Sequence, residues 1–193
     1  MRIVGGRFRG KKLQAPREWD GRPTSDRTRE SIFNILAHGI EGGDPAGDGA
    51  GGLGVLDLFC GTGALGLEAL SRGADRAVFI DADPVALRAV KANAGAMGLA
   101  RAIVALSLDA TRLAPPPRLV RAPFDLAFLD PPYHQDLAAP ALLALAQRGW
   151  LAPGAVVVLE QAADEKPPAL PAFEALDNRT YGAAQVTFLR HRG

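Results

Sequence analysis

At 193 residues, 48% hydrophobic and 22% charged, the chain suits one domain, or one domain with an appendage, and is too apolar for wholesale disorder. It holds no run of about 18 apolar residues and no apolar leader, so neither a membrane span nor a secretory signal is expected. Its single cysteine, Cys60, excludes an internal disulfide framework and a Cys-based zinc cluster and points to a reducing cytoplasm. Lys and Arg number 22 against 21 Asp and Glu, a formal +1 that by itself disfavours a nucleic-acid partner.

That total hides a segregation. Residues 1–30 carry nine basic side chains (Arg2, Arg7, Arg9, Lys11, Lys12, Arg17, Arg22, Arg27, Arg29) against four acidic ones, which leaves +5. The remaining thirteen basic and seventeen acidic residues leave −4. A basic arm on a mildly acidic body suits contact with a phosphate backbone, because a local positive field attracts polyanions whatever the total. A solvated basic terminus reads the same from charge alone.

Within the arm, short runs on either side of Gly5-Gly6 and Gly10 predict a hairpin-like element. Thr24-Ser25-Asp26 offers capping side chains ahead of Ile32, Phe33, Ile35 and Leu36, which predicts a helix over Asp26–His38. Residues 41–54 contain seven glycines and, apart from Leu53, no large apolar side chain, and read as a linker. From Leu53 onward, strands over 55–59, 77–80, 103–106, 124–129 and 155–159 alternate with helices over 64–71, 84–97 and 137–148. Segments 173–179 and 185–189 close the chain as two antiparallel strands. This order predicts an α/β fold, a mostly parallel seven-stranded sheet with helices on both faces. The chain therefore divides into a basic extension over 1–40, a Gly-rich linker over 41–54 and a body over 53–193.

Directly after the first body strand, Gly61-Thr62-Gly63-Ala64-Leu65-Gly66 reads G-x-G-x-x-G and opens a helix. Its glycines let the backbone turn tightly and let a ligand approach the helix N-terminus. Asp81 ends the second strand at the spacing from Gly61 where an acid accepts the two hydroxyls of an adenosine ribose. The fingerprint fits a dinucleotide and S-adenosylmethionine alike, and two residues favour the latter. Asp57, inside an apolar run, needs a partner; it can reach the ammonium of a methionine moiety or bond loop amides. Asp109, after the third strand, can receive an adenine amino group or cap the short turn that follows it.

The most specific signal is Asp130-Pro131-Pro132-Tyr133, immediately after the fourth strand, where the carboxyl ends of parallel strands hold ligands. Two consecutive prolines fix two φ angles and remove two amide donors, leaving carbonyl oxygens free to accept. The Asp130 carboxylate and the Pro131 carbonyl can hold the hydrogens of an exocyclic amino group and free its lone pair for attack. The Tyr133 ring can stack on a flipped base.

Asp57 to Gly66 with Asp130 to Tyr133 resembles the class I S-adenosylmethionine-dependent amino-methyltransferases. Adding Arg2-Ile3-Val4-Gly5-Gly6, Arg9-Gly10-Lys11-Lys12-Leu13, Arg22-Pro23-Thr24-Ser25-Asp26-Arg27-Thr28-Arg29-Glu30, Gly63-Ala64-Leu65-Gly66-Leu67-Glu68-Ala69-Leu70-Ser71-Arg72 and Gly149-Trp150-Leu151, nearly the whole chain resembles the RsmD-type family. That resemblance implies a Rossmann-like fold and methylation of a guanine N2 in bacterial small-subunit (16S) ribosomal RNA, free or within an assembling subunit. It implies S-adenosylmethionine as cofactor, held by Asp57, Phe59, Gly61, Gly63, Asp81 and Asp109. Catalysis falls on Asp130, Pro131, Pro132 and Tyr133, with an aromatic ring mattering more than the tyrosine hydroxyl. The RNA-facing residues are Arg7, Arg9, Lys11, Lys12, Arg22, Arg27 and Arg29, the last three near the cofactor mouth. A cytoplasmic monomer is expected.

The tetrapeptide alone also fits an amino-methyltransferase acting on adenine or on a protein glutamine. A methyltransferase fold that has lost turnover would serve as an RNA-binding assembly factor, and intact Asp130 to Tyr133 speaks against that. An NAD-dependent dehydrogenase leaves the tetrapeptide unexplained. His38, His134 and His191 lack metal-ligand spacing, so no metal is expected, although His134 can line the pocket. Cys60 has no activating neighbour in sequence. Glu160 reads as structural or pocket-lining, and Trp19 and Trp150 as packing residues.

Overall fold

The computed structural model of the chain describes residues 1–15, 24–38 and 52–193. Its strands are β1 (Gly54–Leu58), β2 (Arg76–Asp81), β3 (Ile103–Ser107), β4 (Phe124–Leu129), β5 (Leu151–Ala162), β6 (Phe173–Tyr181) and β7 (Ala184–His191). Its helices are α1 (Asp26–His38), α2 (Ala64–Ser71), α3 (Pro84–Ala96) and α4 (Ala138–Gln147). All seven strands join one sheet in the order β3-β2-β1-β4-β5-β7-β6. β1 to β5 pair in parallel, and β7 runs antiparallel between β5 and β6. This is the α/β arrangement expected from the alternation of elements, with the fold of the class I methyltransferases.

Alternation along the strands feeds two cores, one on each face. Val55, Phe79, Phe128, Val158 and Phe188 point to one face, where α1, α2 and α3 contribute Phe33, Leu67 and Val90. Leu56, Leu58, Ile80, Leu129 and Leu159 point to the other, where α4 contributes Leu142 and Leu145. Trp150 packs in this second core, stacked 6.4 Å from Phe124, and its ring N–H donates to the Ala114 carbonyl at 2.8 Å. The strand β5 is longer than its apolar run. Pro153 and Gly154 sit in an irregularity where the β4–β5 pairing jumps from Phe124↔Leu151 to Leu126↔Val156, and the far end gains antiparallel partners from β7.

The described part of the arm packs into the body. Backbone bonds from Ile3 to Lys11, Gly10 to Ile3 and Leu13 to Met1 close the hairpin-like turn. Ile3 and Leu13 are buried in the same core as Phe79 and Phe128. Glu68, fully buried on α2, fixes this turn by accepting from the Val4 and Gly5 amides at 2.8 and 2.7 Å and from Arg72 at 2.8 Å. In α1, Ser25 caps the helix by accepting from the Thr28 amide, and Phe33 lies 5.5 Å from Phe128 on the sheet. Residues 41–51 of the Gly-rich linker, and Arg17, Trp19 and Arg22 of the arm, lie outside the described residues. Among the described residues no helix is long and apolar enough to cross a membrane.

Candidate active site

Parallel pairing sets the site's geometry. Leu106, Ile80, Leu58, Leu129 and Leu159 form one row across β3, β2, β1, β4 and β5. The next residue along each strand belongs to the row at the carboxyl edge: Ser107, Asp81, Phe59, Asp130 and Glu160. Neighbouring strands lie about 4.8 Å apart, so this row brings three acids to one sheet edge. Chain order reverses between β1 and β4, the position where such sheets bind ligands. A cleft opens there, lined by Thr24, Asp57, Phe59, Gly61 and Asp130 among others.

On the β1 side the loop is strained and close-packed. Phe59 has φ 54°, a left-handed conformation that costs a non-glycine residue roughly 1–2 kcal/mol, and Gly61 and Gly63 continue it at φ 52° and 77°. A Cβ on Gly66 would lie 2.5 Å from the Phe79 ring, so glycine lets α2 settle against β2. Asp57 accepts from the Gly66 amide at 2.8 Å, the loop-amide alternative for this residue. Burial pushes its carboxyl up to about 8, against the pull of that amide and aided by the nearby Asp81 charge. Asp81 accepts from the Gly61 amide at 2.9 Å and the Asp83 amide at 2.9 Å, which ties the loop to the end of β2. Asp109 is exposed and caps its turn, accepting from the Thr111 amide at 2.9 Å and hydroxyl at 2.6 Å. Cys60 is buried, and burial holds its thiol well above its ordinary range, which disfavours the nucleophilic thiolate.

On the β4 side Asp130 does not stand alone. The Thr24 hydroxyl lies 2.9 Å from Glu160 Oε2 and 3.3 Å from Asp130 Oδ2, and the Tyr133 hydroxyl donates to Glu160 Oε1 at 3.1 Å. Burial and the neighbouring Glu160 charge raise the Asp130 carboxyl well above its ordinary range, and burial raises Glu160 as well. Pro131 is buried, Pro132 is exposed and Tyr133 is half-buried. His134 is exposed, its side chain 3.8 Å from Asp164, and its amide donates to Glu165. Among the described residues no group of His, Cys, Asp and Glu is arranged to hold a metal ion.

The arm's charges divide. Arg7, Arg9, Lys11, Lys12 and Arg27 are exposed, with Arg7 lying over the Phe8 ring. Arg29 corrects the sequence expectation: its side chain is 1% exposed, so it cannot present its charge to RNA. Its guanidinium donates to the Thr24 carbonyl at 2.5 Å, the Arg2 carbonyl at 2.6 Å and Asp26 at 2.6 Å. It fastens the start of α1, including Thr24, over the carboxyl edge of the sheet. Arg22 lies outside the described residues.

Two residues at this edge exceed their sequence readings. Thr24 was assigned to capping, but Ser25 caps α1 and Thr24 turns inward, 7% exposed. Two adjacent hydroxyls where one cap suffices were the available signal. Glu160 follows an apolar strand in the same position as Asp130, and only the β4–β5 register makes them neighbours.

The family model described as Conserved hypothetical protein 95 matches residues 1–190. Ribosomal RNA small subunit methyltransferase D of Escherichia coli K12 is 35% identical over 97% of this chain and 87% of its own length. The protein of that name from Haemophilus influenzae is 35% identical over 86% and 80%. The solved structure of Escherichia coli yhhF superposes with a TM-score of 0.79 at 30% identity, covering 100% of this chain and 98% of that one.

The Asp57 carboxyl, at about 8 in the folded chain against an ordinary 3.8, binds its proton more tightly folded than unfolded. Its contribution to stability is complete below the ordinary value and is lost as pH rises through about 8. Asp57→Asn keeps an oxygen for the Gly66 amide and cannot ionise. Calorimetry of the ligand-free variant is expected to show a flatter decline of stability across that interval; a decline as steep as wild type would contradict the assignment.

Proposed function

We propose that this chain, which belongs to the RsmD-type methyltransferase family described as Conserved hypothetical protein 95, methylates the N2 amino group of a guanine in bacterial 16S ribosomal RNA. The observation that carries the reading is that the glycine loop after β1 and Asp130 after β4 line one and the same cleft. The enzyme acts in the cytoplasm as a monomer, on RNA free or within an assembling small subunit.

S-adenosylmethionine fits the loop: Asp57, Phe59, Gly61 and Thr62 line the cleft, the left-handed turn at Phe59, Gly61 and Gly63 shapes it, and Asp81 stands at the edge of the neighbouring strand. Asp57, while bonding the Gly66 amide, lines the cleft where the cofactor's ammonium would favour its ionised form, and Asp109 offers an exposed acceptor toward the adenine. Bound there, the cofactor supplies a methyl group on a cationic sulfur, whose carbon–sulfur bond breaks with its electron pair leaving on sulfur.

Asp130 and the Pro131 carbonyl accept the two N2 hydrogens and turn the nitrogen lone pair out of conjugation with the guanine ring. Tyr133 stacks on the flipped base and fixes the angle of approach. The nitrogen gains one bond to carbon and gives up one proton. The exposed Arg7, Arg9, Lys11, Lys12 and Arg27 supply the phosphate contacts that hold the RNA over this edge. Arg22 adjoins them in sequence.

Asp130→Ala is expected to lower kcat at least ~100-fold while S-adenosylmethionine affinity, read by calorimetry, stays within about threefold of wild type. Loss of cofactor binding instead would assign Asp130 to the cofactor site. Charge reversal at Arg7, Arg9 and Lys12 together is expected to weaken RNA binding and flatten its dependence on salt, with cofactor affinity unchanged. RNA affinity equal to wild type at every salt concentration would remove the arm from the interface.

A further inference from the structure

At the carboxyl edge of β4 and β5 one hydroxyl serves two buried acids. Thr24 has a single hydroxyl hydrogen, yet its oxygen lies 2.9 Å from Glu160 Oε2 and 3.3 Å from Asp130 Oδ2. It satisfies one acid as a donor and must meet the other with a lone pair. An anionic Asp130 facing that lone pair is repelled; a protonated Asp130 donates to it. The chain of groups Asp130–Thr24–Glu160 is therefore satisfied with one proton on the acid pair, and the hydroxyl lets that proton lie at either end. In one arrangement Asp130 donates to Thr24, which donates to an anionic Glu160. In the other, Glu160 donates to Thr24, which donates to an anionic Asp130. Two short proton shifts interconvert them without changing the total charge.

We propose that Thr24 and Glu160 are positioning residues for methyl transfer: they hold one proton in common with Asp130 and draw it toward Glu160 when the guanine amino group binds. This inference rests on the reading of Asp130 as the acceptor of that amino group. With the proton on Glu160, Asp130 is anionic and accepts an N2 hydrogen. As nitrogen bonds to the methyl carbon, the N2 proton passes to Asp130, giving the pair two protons. One then leaves to water once the product has departed, which restores the starting state. The arm takes part directly, because Arg29 holds the Thr24 backbone through its carbonyl.

The surroundings of the pair support a shared proton. Burial and the Glu160 charge on β5 work against an anionic Asp130, while the Thr24 hydroxyl stabilises its anion. Glu160 feels the positive charge of Arg29 on α1 and accepts from Tyr133 and Thr24. Tyr133, on the loop after β4, is itself pushed upward by burial and by the two acids, so it stays a donor.

The test is the pH dependence of kcat on unmodified small-subunit RNA, for variants that pull the Asp130 carboxyl in opposite directions. Glu160→Gln removes the neighbouring negative charge, so the acidic limb is expected to move to lower pH by about one unit. Thr24→Val removes the hydroxyl that stabilises the Asp130 anion, so the limb moves to higher pH and kcat at neutral pH falls about tenfold. Thr24→Ser restores both. Cofactor affinity, measured by calorimetry, stays within about threefold of wild type and confirms folding. If Thr24→Val does not fold, Thr24→Ala removes the hydroxyl without adding a methyl group. Limbs that stay in place, or move together, while kcat falls would make the two residues merely structural and overturn the inference. Asp130→Asn separates the two claims. If it is inactive while the limbs do not move, only this inference fails; if it retains activity, the reading of Asp130 fails as well.

Discussion

The site depends on parallel register. Leu58, Leu129 and Leu159 lie side by side on β1, β4 and β5, so Phe59, Asp130 and Glu160 emerge at the same height. A slip of one residue in β5 against β4 would send Glu160 to the other face of the sheet and separate the pair. That register is enforced from both sides, since Phe128 and Val158 enter one core while Leu129 and Leu159 enter the other. The apolar cores thus specify where the carboxylates meet, and two buried acids are tolerated because a hydroxyl, a phenol and a guanidinium surround them.

A second consequence concerns the arm. Its positive charge suggested a separate appendage, yet its described residues are fixed by buried ionic groups at both ends. Glu68 holds the Val4 and Gly5 amides, and Arg29 holds the carbonyls of Arg2 and Thr24. The same segment that turns Arg7, Arg9, Lys11 and Lys12 outward turns Thr24 inward.

Much of this was legible in the sequence where local physics decides the outcome. β4 was read at its observed bounds because an apolar run ends at a loop of Asp and two prolines. α1 was read at its observed bounds because a cap precedes a helical stripe. The extra length of β5 was not legible, because Pro153 and Gly154 mark a break in the sequence but an irregularity in the sheet. Arg29 was misread as RNA-facing, although Arg29, Ile32, Phe33 and Leu36 fall at i, i+3, i+4 and i+7, the spacing of a buried face. Its charge outweighed its position in that reading. The pairing of Asp130 with Glu160 joins residues thirty positions apart and required the register.

The central claim is that this edge transfers a methyl group to a guanine amino nitrogen of small-subunit ribosomal RNA. It is tested most directly by incubating the protein with labelled S-adenosylmethionine and unmodified small subunits, free 16S RNA, DNA or protein, then identifying the labelled product after digestion. The account predicts label in N2-methylguanosine from small-subunit RNA alone. Label in a methylated adenine or in a glutamine side chain, or none in the RNA, would contradict it.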